Sequence, residues 1–236
     1  MAEASDVLNA YADPDWIANR FAFGYLASPS RNARSIVDFN QSPFTWRILP
    51  SELERVIQRV EALEVGEYFS PALFEVSAAY SFETTGSVPD QEQLDELLDA
   101  ARAFEYRTTA GGTEARFAPI ETSTTAGAVG VVAVGLDVGG AAKGYALDQG
   151  LRKLRGSEAV EAALITAGST TVTFGEKPGS EPWKIGVEHP REASSLVATI
   201  EADGEVTVST SGDYQRYFEQ DGVRYHHILD PATGRP

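Results

Sequence analysis

The residue types best suited to chemistry are concentrated at the end of the chain, between Val208 and Pro236. This stretch carries two of the three histidines in the 236-residue sequence, with a Ser-Gly-Asp turn and an Asp-Pro-Ala-Thr-Gly turn. Histidine can take a proton from a hydroxyl near neutral pH, and Asp230 follows the histidine pair. Ser211 and Gly212 add a hydroxyl and a backbone that a ligand can approach closely. These residues alone favour a phosphate-ester site and a structural strand about equally.

The two neighbouring histidines, His226 and His227, lie in a segment that alternates like a β-strand. Successive side chains of a strand point to opposite faces of its sheet, so the two histidines are not expected to share one task. The sequence contains no G-x-S-x-G elbow, which argues against a Ser-His-Asp hydrolase of that kind.

A second stretch of interest, Leu136 to Asp148, reads LDVGGAAKGYALD. It predicts a strand, a glycine turn and the start of a helix, where free backbone N–H groups and Lys143 favour an anion. The spacing matches neither the P-loop nor the dinucleotide-binding pattern. Glycines placed for close packing of helix and strand explain the stretch equally well.

Composition limits the classes of partner. The formal net charge is −16, with 42% apolar and 23% charged residues, as in an ordinary globular protein with an acidic surface. Such a charge argues against nucleic acid and against an anionic membrane surface, because both require basic residues. The absence of cysteine excludes disulfides, thiolate metal sites and thiol nucleophiles.

No transmembrane helix is predicted, because no run approaches about 20 apolar residues. Residues 1–16 are acidic and lack the basic and apolar regions of a signal peptide. The compartment is not predicted from the sequence.

Three helices are predicted around these candidate residues. The first follows Pro50, with Ser51 and Glu54 as a capping box, and ends at Gly66. The second covers about residues 90–104, and the third runs from the glycine turn to about Arg155. The apolar faces of the first two consist of Leu53, Val56, Ile57, Val60 and Leu63, and of Leu94, Leu97, Leu98 and Ala101.

Strands dominate the rest of the chain. A buried strand is predicted at 130–138, and short alternating strands joined by Gly, Pro and Asp turns follow it. The later strands are predicted at 162–167, 172–174, 183–187, 196–202, 205–211 and 224–229. The fold class is α+β, with largely antiparallel sheets and packed helices. We expect one domain over residues 1–236, with a possible subdomain junction near 108–130.

Three stretches together resemble the ApbE family, the FAD:protein FMN transferases. They are Leu136–Asp148, Ala167–Pro190 and Val208–Pro236, in which VSTSGDYQRYF and RYHHILDPATG are the most specific segments. The segment FSPALFEVSAAYSF, residues 69–82, is similar to a family block that ends in Trp-Gly-Phe. The resemblance covers about residues 50–236.

The resemblance implies an ApbE-like (T-fold-like) architecture and Mg²⁺-dependent transfer of FMN from FAD to a threonine hydroxyl of a target flavoprotein, with release of AMP. An FAD pyrophosphatase and a non-catalytic FAD-binding protein are the alternatives. His227 is the implied base, with Asp230 orienting the turn. The resemblance assigns FAD contacts to Tyr80, Ser81, Phe82, Lys143 and Ile228, beside Ser211 and Gly212, and a magnesium-binding carbonyl to Gly140.

Several positions depart from the family pattern. The Asn-x-Gly-Gly bend of the family reads Thr166-Ala167-Gly168-Ser169, while Ser70 and Ala72 replace Asp and Thr in the block at 69–82. The Met-Gly-Thr strand of the family and its Ala-Asp-Ala-x-x-Thr segment, which carries metal ligands, are not found. We therefore expect a fragment of a family member.

Overall fold

The computed structural model describes residues 39–82, 84–123 and 129–236. Helices and antiparallel strands are mixed along this part of the chain, which confirms the α+β class. The chain divides into two compact units, one holding residues 141–215 and the other holding the described residues up to 140 together with 216–236. They are called the central unit and the N/C unit below. The prediction for residues 1–16 lies outside the described residues.

The helices are α1 (Ser51–Ala62), α2 (Phe74–Ala79), α3 (Gln91–Arg102) and α4 (Gly139–Arg155). The strands of the N/C unit are β1 (Arg47–Ile48), β2 (Phe104–Thr109), β3 (Gly112–Phe117), β4 (Glu121–Ser123), β5 (Val129–Val131), β11 (Tyr217–Gln220) and β12 (Val223–His226). Those of the central unit are β6 (Ala163–Ala167), β7 (Thr170–Phe174), β8 (Trp183–Glu188), β9 (Leu196–Ala202) and β10 (Thr207–Ser209).

The first helix of the N/C unit buries the predicted apolar face only in part. Its residues Leu53, Val56 and Ile57 are buried, whereas Leu63 is 54% exposed because the helix has already ended at Ala62. The predicted stop at Gly66 is therefore four residues too late. The turn out of the helix instead uses Glu64, whose φ is +53°.

The predicted capping box is wrong. The helix begins at Ser51 itself, so Pro50 occupies the N-cap and no side chain caps the helix. The Ser51 hydroxyl donates to the carboxylate of Glu52. Glu54 instead accepts a hydrogen bond from the Thr113 hydroxyl, at 2.6 Å, which ties the helix to strand β3. Glu54 is thus bonded to a residue that is distant in the sequence, Thr113, and not to the start of its own helix.

The predicted strand at 130–138 is buried but is mostly not a strand. Strand β5 ends at Val131, and the following residues are extended without a partner strand. The side chain of Asn40 takes the partner's place, accepting from the Leu136 N–H at 2.8 Å and donating to the Leu136 carbonyl at 3.0 Å. The predicted burial is thus confirmed for Val132, Val134, Leu136 and Val138 but not for Val131, and the predicted strand is wrong beyond Val131.

Helix α3 matches its prediction closely. Asp90 is the N-cap, and its carboxylate accepts from the Gln93 N–H at 2.8 Å. The helix packs its buried Leu94 and Leu98 against Val76 of α2 and forms the core of this part of the N/C unit. This core supports both the residues near Tyr80 and the end of the chain.

The central unit is built on a three-stranded antiparallel sheet with the order β10-β7-β6, and on the separate pair β8-β9. Its core joins α4 to this sheet through Leu147, Leu151, Leu154, Ile165, Val172 and Phe174. Small residues let the helix and sheet approach, since a Cβ at Gly150 would lie 3.3 Å from Ile165. The strand predicted at 205–211 is shorter, Thr207–Ser209.

The hairpin β11-β12 holds the histidine pair. It pairs Tyr217 with His226 and Phe218 with Tyr225. Strand β11 was not predicted, and strand β12 ends at His226, so His227 lies just beyond the ladder. Within the described residues, no helix is long and apolar enough to cross a membrane.

Candidate functional site

His227 follows the end of β12 and bonds to the Arg216 carbonyl through two of its nitrogens. Its backbone N–H donates to the Arg216 carbonyl at 3.2 Å, and its Nδ1 lies 3.2 Å from the same oxygen. A carbonyl oxygen only accepts, so Nδ1 carries the proton in the neutral imidazole and Nε2 carries the lone pair. The ring is thereby set in the tautomer that a general base needs.

His226 has a different setting. Its Nδ1 is buried and makes no hydrogen bond within the part of the chain that the structure describes. The structure therefore gives different surroundings to two histidines that are adjacent in the sequence.

Asp230 organises the turn that follows. Its carboxylate accepts from the Ala232 N–H at 2.8 Å, and its carbonyl accepts from the Gly234 N–H at 2.8 Å. Its own N–H donates to the Arg235 carbonyl, also at 2.8 Å. This residue closes the turn with both its backbone and its side chain, as an Asx turn does. We call Asp230–Arg235 the Asp230 turn.

Tyr80 connects the Asp230 turn to the core. The ring is fully buried, and its hydroxyl donates to the Gly234 carbonyl at 2.9 Å. Burial raises the pKa of Tyr80, an effect that Arg235 opposes and Tyr225 reinforces. The predicted contact of Tyr80 with a flavin or adenine stays a prediction. In the structure the ring packs on Phe82, and its hydroxyl bonds to Gly234.

Four aromatic rings form what we call the aromatic ladder: Tyr80, Phe82, Phe218 and Tyr225. Tyr80 stacks on Phe82, with ring centroids 5.1 Å apart and planes 6° apart. Phe218 stacks on Tyr225 at 5.2 Å and 16°, and it tilts against Phe82 at 5.8 Å. Tyr80 is fully buried, whereas Phe82, Phe218 and Tyr225 are half-buried, and flat aromatic rings of the latter kind offer an apolar surface to a planar ligand. Phe218 and Tyr225 were not predicted as site residues, although Tyr225 lies on a predicted strand.

Ser81 and Ile228 lie beside the aromatic ladder in the chain. Ser81 has a φ of +52°, a left-handed conformation that an L-residue adopts at a cost. Its carbonyl accepts from the N–H groups of Thr84 and Gly86, so it starts a tight loop. Ile228 is 42% exposed, directly after His227. Their predicted FAD contacts stay predictions.

Lys143 lies in the first part of α4, within the central unit. Its ammonium donates to the Ser169 hydroxyl at 3.1 Å. Its Cδ lies 3.7 Å from the point where a Cβ on Gly168 would sit, so the side chain runs along the turn between β6 and β7. We call Ala167–Thr170 the Ser169 bend. The sequence placed Lys143 near an anion but did not predict this partner.

Ser211 and Gly212 follow strand β10 in the same unit. A Cβ on Gly212 would overlap the Tyr214 ring, so the close approach requires glycine. The turn is also held by Asp213, whose carboxylate accepts from both terminal nitrogens of Arg191, at 3.0 and 2.7 Å. Bidentate pairing fixes the orientation of the turn. The predicted ligand contacts of Ser211 and Gly212 stay predictions.

Gly140 is the second residue of α4 and belongs to the N/C unit. A Cβ there would lie 2.6 Å from the Phe69 ring, so glycine permits close packing. The carboxylate of Asp137 accepts from the Gly139 N–H at 2.7 Å and is used in the turn. Among the described residues, no group of three or more His, Asp or Glu side chains is placed to hold a metal ion. The Gly140 carbonyl and the Asp137 carboxylate alone do not make up a magnesium site.

The structure thus distributes the predicted residues by unit. Tyr80, Phe82 and the Asp230 turn are joined in the N/C unit, where His227 bonds to the Arg216 carbonyl. Lys143 meets the Ser169 bend in the central unit, where Ser211 follows β10.

Curated relatives carry one functional name. An FAD:protein FMN transferase of Vibrio cholerae is 35% identical over 151 residues, which are 63% of this chain and 41% of the relative. One from Treponema pallidum is 30% identical over 199 residues, covering 80% of this chain and 52% of the relative. The chain spans about half or less of the length of these relatives.

Solved structures agree on the fold. The ApbE protein of Thermotoga maritima superposes with a TM-score of 0.75 at 28% identity, covering 98% of this chain and 70% of that structure. The apo flavinyl transferase ApbE of Pseudomonas stutzeri gives 0.66 at 26% identity, covering 100% and 66%. These likenesses confirm the predicted ApbE-like architecture. The family model named ApbE family matches residues 20–236, and the chain accordingly belongs to the ApbE family.

Proposed function

We propose that this chain transfers FMN from FAD to a threonine hydroxyl of an acceptor flavoprotein and releases AMP. The observation that carries the proposal is the match to the ApbE family over residues 20–236, together with the curated relatives of Vibrio cholerae and Treponema pallidum, which are named FAD:protein FMN transferases. The tautomer that Arg216 imposes on His227 supports it independently, because it gives the imidazole a basic Nε2.

The reaction needs one bond to form and one to break. The threonine oxygen forms a bond to the phosphorus of the FMN half, and the bond from that phosphorus to the bridging oxygen breaks. AMP leaves with the electron pair, and the threonine proton passes to Nε2 of His227. Positioning and electrostatics dominate such phosphoryl transfers, so a base held in one tautomer is a suitable contribution.

Different residues are proposed to recognise different parts of FAD. Phe82 and Tyr225 present aromatic surface suited to a ring system, through stacking. Lys143 presents an ammonium suited to the pyrophosphate. Ser211, Gly212 and Ile228 remain proposed contacts on the strength of the family resemblance.

Magnesium also remains a proposal from the family resemblance, with the Gly140 carbonyl as one ligand. The described side chains do not supply a metal-binding cluster, so no step is assigned to the ion. The acceptor is proposed to be a flavoprotein with an accessible threonine. A net charge of −16 argues against nucleic acid as a partner.

The test is incubation of the chain with FAD, Mg²⁺ and a threonine-bearing acceptor domain, followed by mass spectrometry of the intact acceptor. The expected result is a covalent mass increment equal to one FMN, with AMP released in equal amount. The matched control is an acceptor whose target threonine is replaced by valine, which should gain no mass. An unmodified threonine acceptor would contradict the transferase proposal.

Two other outcomes point to the alternatives. FMN and AMP released without modification of the acceptor would indicate an FAD pyrophosphatase, in which water replaces the threonine. FAD binding without turnover would indicate a non-catalytic FAD-binding protein. Omission of Mg²⁺ and addition of EDTA to a working assay test the proposed metal dependence.

A further inference from the structure

Lys143 is paired unlike Lys177 and Lys184, two lysines of the same unit. Lys177 and Lys184 form ion pairs with the carboxylates of Glu181 and Glu201, at 3.2 and 3.6 Å. Lys143 donates instead to a neutral hydroxyl, that of Ser169, and makes no ion pair within the described residues. Its position is therefore fixed without neutralisation of its charge.

The partner of Lys143 is itself fixed. The Ser169 carbonyl accepts from the Thr210 N–H at 3.0 Å, which ties the bend to the end of β10. The next residue, Thr170, is buried and shares a hydroxyl hydrogen bond of 2.9 Å with Ser209. Gly168 has a φ of +56°, which lets the chain reverse tightly before Ser169. The hydroxyl that meets Lys143 thus projects from a rigid turn.

The chemistry of an ammonium makes this arrangement useful. Lysine has three N–H donors, so a bond to Ser169 leaves two that can point at the oxygens of an anion. A lysine side chain also loses considerable rotamer entropy when a ligand orders it, and prior ordering reduces that cost. Because the Ser169 hydroxyl is neutral, it orders the lysine side chain without forming an ion pair that an anionic ligand would have to replace.

We propose that Ser169 is a positioning residue that holds the Lys143 ammonium for the phosphates of FAD. The inference rests on the proposed function, because it takes FAD as the ligand of Lys143. Ser169 stands where the family bend Asn-x-Gly-Gly has its last glycine, which offers no hydroxyl. A glycine at this position could not accept the hydrogen bond from Lys143 through a side chain, whereas Ser169 does.

The test is a double-mutant cycle on FAD affinity, measured by flavin fluorescence titration with the full chain. Ser169→Ala should raise the Kd for FAD about 3- to 10-fold, as expected for one lost hydrogen bond to a charged, half-exposed group. In a Lys143→Met background the same substitution should change Kd less than about twofold, since the partner is gone. Ser169→Thr keeps the hydroxyl and should restore most of the affinity.

The matched control is Thr171→Ala, which removes a hydroxyl that shares a hydrogen bond with Thr166 on the same hairpin. It should leave the Kd unchanged, and thermal melts check that each variant is folded. An equal loss from Ser169→Ala with and without Lys143 would overturn the positioning role, as would no loss in either background. A wild-type chain that binds no FAD at all would overturn the proposed function and this inference together.

Discussion

The Asp230 turn and the Ser169 bend are both short chain reversals beside proposed site residues, but they are stabilised in different ways. The Asp230 turn inserts Gly234 into the hydrophobic core, against Val76 and Leu94. The Ser169 bend is held mainly by hydroxyl and backbone hydrogen bonds at a half-exposed edge.

Because the Asp230 turn is stabilised by core packing and the Ser169 bend by hydrogen bonds, the two regions should tolerate substitutions differently. Core packing resists substitution because neighbouring side chains cannot move apart without loss of contacts. Hydrogen bonds at a half-exposed edge can be exchanged for water at a smaller cost. We therefore expect the Asp230 turn to control folding strongly and the Ser169 bend to affect ligand binding more than stability.

The largest expected effect is on catalysis. His227→Ala should lower the rate of FMN transfer by about 10²–10⁴-fold, because a general base typically contributes that much. FAD affinity should stay within about threefold of wild type, since the imidazole is assigned to the acceptor proton. The measurement combines single-turnover transfer kinetics with FAD titration.

His226→Asn is the matched control for that prediction. It alters the neighbouring imidazole, which has no role in the proposed reaction, and the transfer rate should remain within about threefold of wild type. Equal losses for the two histidines would show that the structure does not distinguish them, and the assignment of the base would fail.

The next effect tests whether the Asp230 turn is a core element. Gly234→Ala should destabilise the protein by about 2–4 kcal/mol, combining left-handed backbone strain with overpacking. Gly234 has a φ of +66°, and a Cβ there would lie 3.1 Å from Val76. Gly222→Ala is the control, because its φ of +77° brings the same strain into open space. Equal losses in urea unfolding would mean that packing contributes nothing at Gly234.

A smaller effect concerns the hydroxyl of Tyr80. Tyr80→Phe should cost about 1–3 kcal/mol at neutral pH, because it leaves the buried Gly234 carbonyl without its donor. The raised pKa of Tyr80 adds a pH dependence. Above about pH 10 the unfolded chain loses the proton first, so the free energy of unfolding falls as pH rises.

Tyr80→Phe lacks this ionisation, so its deficit relative to wild type should narrow above about pH 10. Urea unfolding at pH 7.5 and at several values above 10 measures both effects. Tyr68→Phe, at a site 81% exposed, should match wild type throughout. A deficit that stays constant with pH would contradict the assigned cause of the shift.

The smallest effect belongs to the Ser169 bend. Thr170→Val keeps the shape of the side chain and removes its bond to Ser209, at an expected cost of about 0.5–1.5 kcal/mol. Thr171→Val provides the control on the same strand and should cost less. If Thr170→Val were as damaging as Gly234→Ala in urea unfolding, the contrast between the two regions would be wrong.

Local patterns predicted the elements that depend on local rules. The apolar spacing was sufficient for α3, and a helix after Val138 was predicted correctly, although the residues predicted as its glycine turn are the first residues of α4 itself. The capping box at Ser51 failed because Glu54 bonds to Thr113, which is distant in the sequence. The periodicity of apolar residues does not indicate which side chain from a distant part of the sequence will bond to a helix residue such as Glu54.

The candidate site was predicted unevenly for the same reason. The resemblance to a family identified His227 and Lys143, and the fold it implied is confirmed by solved relatives. Neither the resemblance nor the pattern indicated the partners of these residues, the Arg216 carbonyl and the Ser169 hydroxyl. Both contacts depend on exact backbone placement, which residue types alone do not specify.

The amide of Asn40 has a consequence for how the extended segment 132–138 opens. In a sheet, each amide proton is protected by a ladder in which neighbouring bonds break together. Here the Leu136 N–H donates to one side chain, so a single rotamer change of Asn40 breaks its hydrogen bond without breaking a strand ladder. In hydrogen exchange this amide would therefore report a local event, separate from the cooperative opening of the N/C unit. The N–H groups of Val132 and Asp137 donate to the carbonyls of Ile120 and Pro71, so both ends of the segment would stay in place during that event.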